Sequence, residues 1–166
     1  MPDRVATLSQ NFEANAQKYG SRAFLKDKRD KRWTDHSWTD VSEAAGKLRA
    51  GLLGLGVRPG DRVAILSDNC PEWIVVDQAV LGLGAIVVPL YTTSGVEETA
   101  HVISDSGAKV IAANGDEMVK KILGLSASIP DVTAIVAMHA DAESTPASNG
   151  TPAVVSAASI SGGPIC

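Results

Sequence analysis

Gly56-Val57-Arg58-Pro59-Gly60-Asp61-Arg62-Val63-Ala64-Ile65-Leu66 joins a helix stop, a tight turn and a buried strand in one short run. Gly56 closes the segment before it, because glycine enters the left-handed conformation of a helix end without a Cβ clash. Pro59-Gly60 suits the central positions of a type II turn, the second of which needs a positive φ. Val63-Ala64-Ile65-Leu66 is apolar at every position, as a strand covered on both faces is. Behind the stop, Val41, Ala44, Ala45, Leu48, Leu52 and Leu55 share one helical face, with Thr39 as the expected N-cap.

The same order recurs downstream. Asp68 or Asn69 is expected to cap a helix with Pro71 in its first turn and Trp73, Val76, Val80 and Leu83 along one side. Residues 85–90 form the next apolar strand. Ser94 and Glu97 read as a capping box for a helix carrying Val96, Ala100 and Ile103. A strand over 109–113, a helix opened by Asp116 and a strand over 133–137 follow. Strands beginning at 62, 85, 109 and 133 have the spacing of βαβ units, whose crossover helices return the chain to a parallel neighbour. The predicted fold is α/β: a doubly wound, mainly parallel sheet with helices on both faces. Ahead of it come a helix, capped by Thr7 or Ser9 and carrying Leu8, Phe12 and Ala16, and a short hairpin of strands over 22–25 and 33–38.

The hairpin tip is charged: residues 26–32 hold five Lys or Arg and two Asp. Such a run reads as a solvated turn. As a docking patch for an anionic surface it lacks a supporting aromatic and a second patch. The chain as a whole has 166 residues and a net charge of -4, which argues against general nucleic-acid binding. Two cysteines, Cys70 and Cys166, imply no disulfide framework, so a cytoplasmic setting is expected. The start carries no secretory signal, and the uncharged stretch from 78 to 96 is too short and too broken to span a membrane.

After Met138 the composition shifts. Of the 27 residues from 140 to 166, 19 are Ala, Ser, Thr, Gly or Pro, and no Lys or Arg follows Lys121. Val154-Val155 is too short an apolar pair to bury a face by itself, so residues 139–166 are expected to be a disordered tail. The division is then 1–138 for the folded part and 139–166 for low-complexity sequence, either a frameshift product or a natural linker.

The glycine doublets Gly54-Leu55-Gly56 and Gly82-Leu83-Gly84 precede strands, whereas a dinucleotide fingerprint follows one. Both read as helix ends. His36, His101 and His139 show no metal-ligand spacing, so no metal site is expected. Cys70 precedes Pro71 near a helix start, a setting that lowers a thiol pKa, but no histidine motif supports a nucleophile there. Ligands in open α/β sheets gather beyond the carboxyl ends of the strands. That geometry singles out Ser67-Asp68-Asn69 and Tyr91-Thr92-Thr93, with Tyr91 and Thr92 as the candidate substrate contacts.

The run from Gly56 to Leu66 resembles AMP-forming acyl-CoA synthetases, members of the adenylate-forming enzyme superfamily. The resemblance continues through Asp68-Asn69-Cys70-Pro71-Glu72-Trp73, Gly84-Ala85-Ile86-Val87-Val88-Pro89-Leu90-Tyr91 and Asp105-Ser106-Gly107-Ala108-Lys109-Val110. Trp38-Thr39-Asp40-Val41 is similar to the family's approach to the helix before its first parallel strand. The similarity covers roughly residues 5 to 137, and Pro89-Leu90-Tyr91 with its Thr/Ser-rich turn is most like the long-chain fatty acyl branch. It implies an incomplete portion of a larger N-terminal domain. It also implies a ligase in which a fatty acid carboxylate attacks the α-phosphate of ATP with Mg²⁺ present, and the thiol of coenzyme A then displaces AMP. The family's phosphate loop, later nucleotide motifs and small C-terminal domain have no counterpart in these residues, so no catalytic residue is carried over and the chain alone is expected to be inactive. For the parent enzyme, a long-chain substrate makes peripheral membrane association an expectation, although these residues show no amphipathic anchor. Two alternatives stand beside this one: a non-catalytic α/β binding or interaction domain, and a nucleotide-dependent oxidoreductase, which the absent glycine fingerprint disfavours.

Overall fold

A computed structural model describes residues 6–29, 31–138, 145–148 and 150–161. Helix α1 (Leu8–Tyr19) precedes an antiparallel hairpin of β1 (Ala23–Arg29) and β2 (Arg32–Ser37). Then come α2 (Trp38–Gly54), β3 (Arg62–Leu66), α3 (Pro71–Gly82), β4 (Ile86–Leu90), α4 (Val96–Ser106), β5 (Val110–Ala113), α5 (Asp116–Leu123) and β6 (Ala134–Ala137). A last pair, β7 (Ala153–Ser156) and α6 (Ala157–Ser161), completes the order. Strands β3 to β7 form one parallel sheet in the order β4-β3-β5-β6-β7.

Alternation along each strand sends side chains to two cores. Val63, Ile65, Val110, Ala112 and Val136 join the cluster that includes α1, α2 and α3 residues Phe12, Leu48, Leu52, Val76 and Val80. Ala64, Leu66, Ile111, Ala113 and Ile135 join the cluster that includes Ile103 of α4 and Val119 and Ile122 of α5. That is the doubly wound arrangement, and it accounts for strands without a polar face.

The Pro-Gly-Asp-Arg turn knots the amino-terminal edge of the sheet. Gly60 has φ +86°, and the Asp61 amide donates to the Arg58 carbonyl at 3.0 Å, closing the turn. The Gly60 amide donates to the Gly84 carbonyl, and the Ile86 amide to the Asp61 carbonyl. The Asp61 carboxylate accepts from the Arg58 amide at 2.8 Å and from Lys109 Nζ at 3.1 Å, and both hold its pKa below the usual carboxylate value. Arg62 Nε and its terminal nitrogen donate to the carbonyls of Ser106 and Gly107 at 2.6 and 3.0 Å. The guanidinium thereby caps the end of α4, where carbonyls are unpaired and the helix dipole is negative. Pro89 costs the ladder nothing. The Ile86 amide faces β3, so by alternation the nitrogen of residue 89 faces the open edge, where a missing donor discourages strand addition.

Several expectations need correction. The N-cap of α2 is Ser37, whose hydroxyl accepts from the Asp40 amide while the Asp40 carboxylate accepts from the Ser37 amide. The N-cap of α4 is Gly95 without a side-chain cap, and the Thr99 hydroxyl donates back to the Gly95 carbonyl at 2.8 Å. For α3 it is Cys70, also without a side-chain cap. The hairpin strands reach further than expected: Asp27 pairs with Thr34 and Lys28 with Trp33, and Trp38 starts the helix.

The largest correction concerns Val154 and Val155. They lie in β7, paired in register with Ile135 and Val136, and Val154 is 6% exposed. One valine per face suffices at a sheet edge, because the neighbouring strand and helices supply the rest of each core. Residues 139–144, 149 and 162–166, with His139 among them, lie outside the described residues.

Asp77 on α3 is half-buried, and that burial raises its pKa, with a partly offsetting hydrogen bond from the Gln78 amide at 3.0 Å. A carboxyl whose folded pKa exceeds the unfolded 3.8 loses stability as pH rises from 3.8 through the folded value. Asp77→Asn is therefore expected to raise Tm at pH 7, and the gain should shrink to nothing below pH 3.8. A melting series across pH checks this.

Candidate functional site

Parallel strands deliver their following loops to one edge. The chain leaves β3 toward α3, on one face, and leaves β4 and β5 toward α4 and α5, on the other. Loops that part in this way open a crevice at the carboxyl edge. Here it is a cleft of about 510 Å³ lined by Asp68, Thr92, Asn114, Gly115, Asp116, Glu117 and Met118.

Thr92 lines this cleft, and its hydroxyl donates to Asp68 Oδ1 at 2.7 Å, tying the β3 loop to the β4 loop. Tyr91 is not brought with it, since its side chain is 81% exposed outside the lining. Lys121 on α5 straps the β4 loop from the other side, donating to the carbonyls of Ser94 at 2.6 Å and Thr92 at 3.4 Å. Asn114, whose amide donates to the Leu66 carbonyl, continues β5 into the same edge. Sequence reasoning missed Asn114 and Lys121. The signal for Asn114 was available, as the first polar residue after an apolar strand, and for Lys121 there was none.

Behind the cleft, Ser67 donates to the Asp68 carbonyl at 2.7 Å and lies 3.5 Å from Cys70 Sγ. Asn114 Nδ2 also reaches Cys70 Sγ, at 3.5 Å. Burial pushes the Cys70 thiol up, and the Ser67 hydrogen bond only partly offsets it. Desolvation thus outweighs the lowering expected of a thiol near a helix start.

The lining carries Asp68, Asp116 and Glu117. Asp116 and Glu117 occupy the first turn of α5, the position where helix amides would otherwise attract an anion. The nearby ammonium of Lys121 is already held by two carbonyls. This arrangement does not fit the phosphates of ATP, which need converging donors and positive charge. Nor do any three His, Cys, Asp or Glu side chains converge as a metal site among the described residues. No helix among them is long and apolar enough to cross a membrane.

Comparisons with known proteins fit the sheet. A family model described as AMP-binding enzyme matches residues 12–159. The long-chain-fatty-acid–CoA ligase FadD15 of Mycobacterium tuberculosis is 44% identical over 104 residues, 60% of this chain and 17% of that protein. The long-chain-fatty-acid–CoA ligase ACSBG1 of Mus musculus is 33% identical over 133 residues, 80% of this chain and 18% of its own. The chain thus spans under a fifth of the length of these curated relatives. Among solved structures, the anthranilate CoA ligase AuaEII bound to anthranoyl-AMP superposes with a TM-score of 0.70 at 26% identity, over 78% of this chain and 24% of that one. Coronafacic acid ligase from Pectobacterium brasiliense shares the fold with a TM-score of 0.78 at 18% identity, over 95% of this chain and 29% of that one.

Proposed function

Because the chain belongs to the AMP-binding enzyme family, we propose that it is the opening segment of a long-chain fatty acid–CoA ligase and performs no ligation by itself. The observation that carries the first half is the family match over 12–159, together with relatives whose names specify long-chain fatty acids. The second half rests on the cleft. Its carboxylates oppose a polyphosphate, and none of its lining residues is a lysine or arginine.

In the parent enzyme, the reaction would take fatty acid, ATP with Mg²⁺, and coenzyme A as substrates. No step of it is assigned to residues of this chain. Their contribution is a rigid edge: Asp68, Thr92 and Lys121 fix two strand-end loops against each other, and fixed loops hold a substrate wall better than mobile ones. A cytoplasmic setting and peripheral membrane association belong to the same proposal.

Two assays separate the halves. Purified chain is expected to show no fatty-acid-dependent exchange of pyrophosphate into ATP above background; measurable exchange would overturn the claim of inactivity. Residues 12–138, placed in FadD15 in exchange for its own matching segment, are expected to give a folded enzyme that still activates long-chain fatty acids. A folded chimera without that activity would remove the ligase assignment.

A further inference from the structure

A chain of net charge -4 carries five of its 15 Lys and Arg in residues 26–32 of the β1–β2 hairpin, which stands outside the strand-end cleft. The hairpin has two faces. Leu25 packs against the α1–α3 core, and Asp27 Oδ1 lies 3.2 Å from His36 Nε2 with both side chains largely covered. The opposite face carries the cross-strand pairs Lys26–Asp35 and Lys28–Trp33. Lys26 Nζ meets Asp35 Oδ1 at 3.0 Å, so each of these two aspartates has a partner near the base of the hairpin. Toward the tip the sequence reads Lys28-Arg29-Asp30-Lys31-Arg32, four basic residues to one acidic.

Trp33 supplies the aromatic that the charge run alone lacks. Its side chain is 67% exposed, and Lys28 Nζ lies 5.8 Å from the ring centroid. A large indole held in water beside a lysine is an unfavourable arrangement for a free surface. It is a favourable one at a bilayer interface, where the ring enters the headgroup layer and the cations meet anionic lipid. The hairpin is also rigid at its root: Phe24 stacks on Trp38 with centroids 3.9 Å apart, and Phe12 lies 5.8 Å from each. Docking therefore orders little that is not already ordered.

We infer that the β1–β2 hairpin is a docking element for an anionic lipid surface, with Trp33 entering the headgroup layer and Lys28, on the same face, and Lys31, at the turn, contacting lipid charge. The inference does not depend on the ligase assignment. Nucleic acid is the less fitting partner, since single-strand binders present a positive groove and several stacking rings, whereas this hairpin has one exposed ring on a net acidic chain. Leu25, Lys26 and Asp27 share a second cleft with Asn69, Cys70 and Pro71, so the hairpin root abuts the loop after β3. A docked hairpin would bring the carboxyl edge of the sheet next to the lipid.

The test uses the 166-residue chain with vesicles of phosphatidylcholine alone and with 30 mol% phosphatidylserine. Each basic residue near such a surface contributes about fivefold in partitioning. Sedimentation with the mixed vesicles is expected to exceed that with phosphatidylcholine by at least about tenfold, and to fall with added salt. Lys28→Glu with Lys31→Glu should weaken binding by about tenfold or more without lowering Tm, because both side chains are exposed. Trp33→Ser should remove a blue shift of tryptophan emission on binding and lower affinity. Equal binding to both vesicles, or binding indifferent to these substitutions, overturns the proposal. So does a DNA duplex or a polyglutamate peptide that binds the hairpin more tightly than the vesicles do.

Discussion

Ile65→Ala is expected to cost about 2–5 kcal/mol of unfolding free energy and to lower Tm by on the order of 10 °C for a chain of this size. Ile65 is fully buried in β3, the strand flanked by β4 on one side and β5 on the other. Removing its outer methylenes leaves a cavity on the α2–α3 side of the sheet that the covering helices cannot close without moving. The consequence reaches the cleft, because Ser67 and Asp68 follow directly from this strand. Leu53→Ala, at an exposed position of α2, should stay within about 0.5 kcal/mol. Urea unfolding of the two variants beside the parent chain makes the comparison. A cost under about 1 kcal/mol for Ile65→Ala would contradict a sheet covered on both faces.

What could be read from the sequence follows the same logic. Val63 to Leu66 announces itself because a strand apolar at every position has one common use, and its repetition at near-regular intervals forces parallel neighbours. Caps were less legible. Ser37 and Thr39 are both good N-cap residues, and the choice depends on where β2 ends, which is settled by pairing of Ser37 with Ala23. At α4 the capping-box pattern of Ser94 and Glu97 loses to Gly95, one residue further on, while Lys121 holds the Ser94 carbonyl from another element. The hairpin strands hid behind their charge: Lys26, Lys28 and Asp27 carry no apolar alternation, yet cross-strand pairing places each of them. In the cleft, strand-end reasoning found Asp68 and Thr92 together. It gave no way of knowing that Tyr91, next to Thr92, would turn outward.

Gly51→Ala is expected to destabilise the full chain by about 1–3 kcal/mol, the range for forcing atoms into a filled contact. The opposite sign would be expected for an ordinary helix position, where alanine is favoured over glycine by up to about 1 kcal/mol. The difference is α6. A Cβ built on Gly51 would lie 2.5 Å from the Ile160 carbonyl oxygen and 2.8 Å from its Cβ. Backbone cannot swing aside as a lysine tip can, so α6 must lift off α2 or the helix must shift. In a chain ending at residue 150, which lacks β7 and α6, the same substitution should become stabilising by up to about 1 kcal/mol. The reversal between the two backgrounds is a coupling between residue 51 and the segment 151–161, measurable by urea unfolding of four proteins. Stabilisation by Gly51→Ala in the full chain would mean that α6 is not seated on α2. The small residues after Thr151 would then return to the linker that their composition suggests. Destabilisation there, with reversal in the shortened chain, makes Val154, Val155 and Ile160 part of the same fold that Gly56 to Leu66 begins.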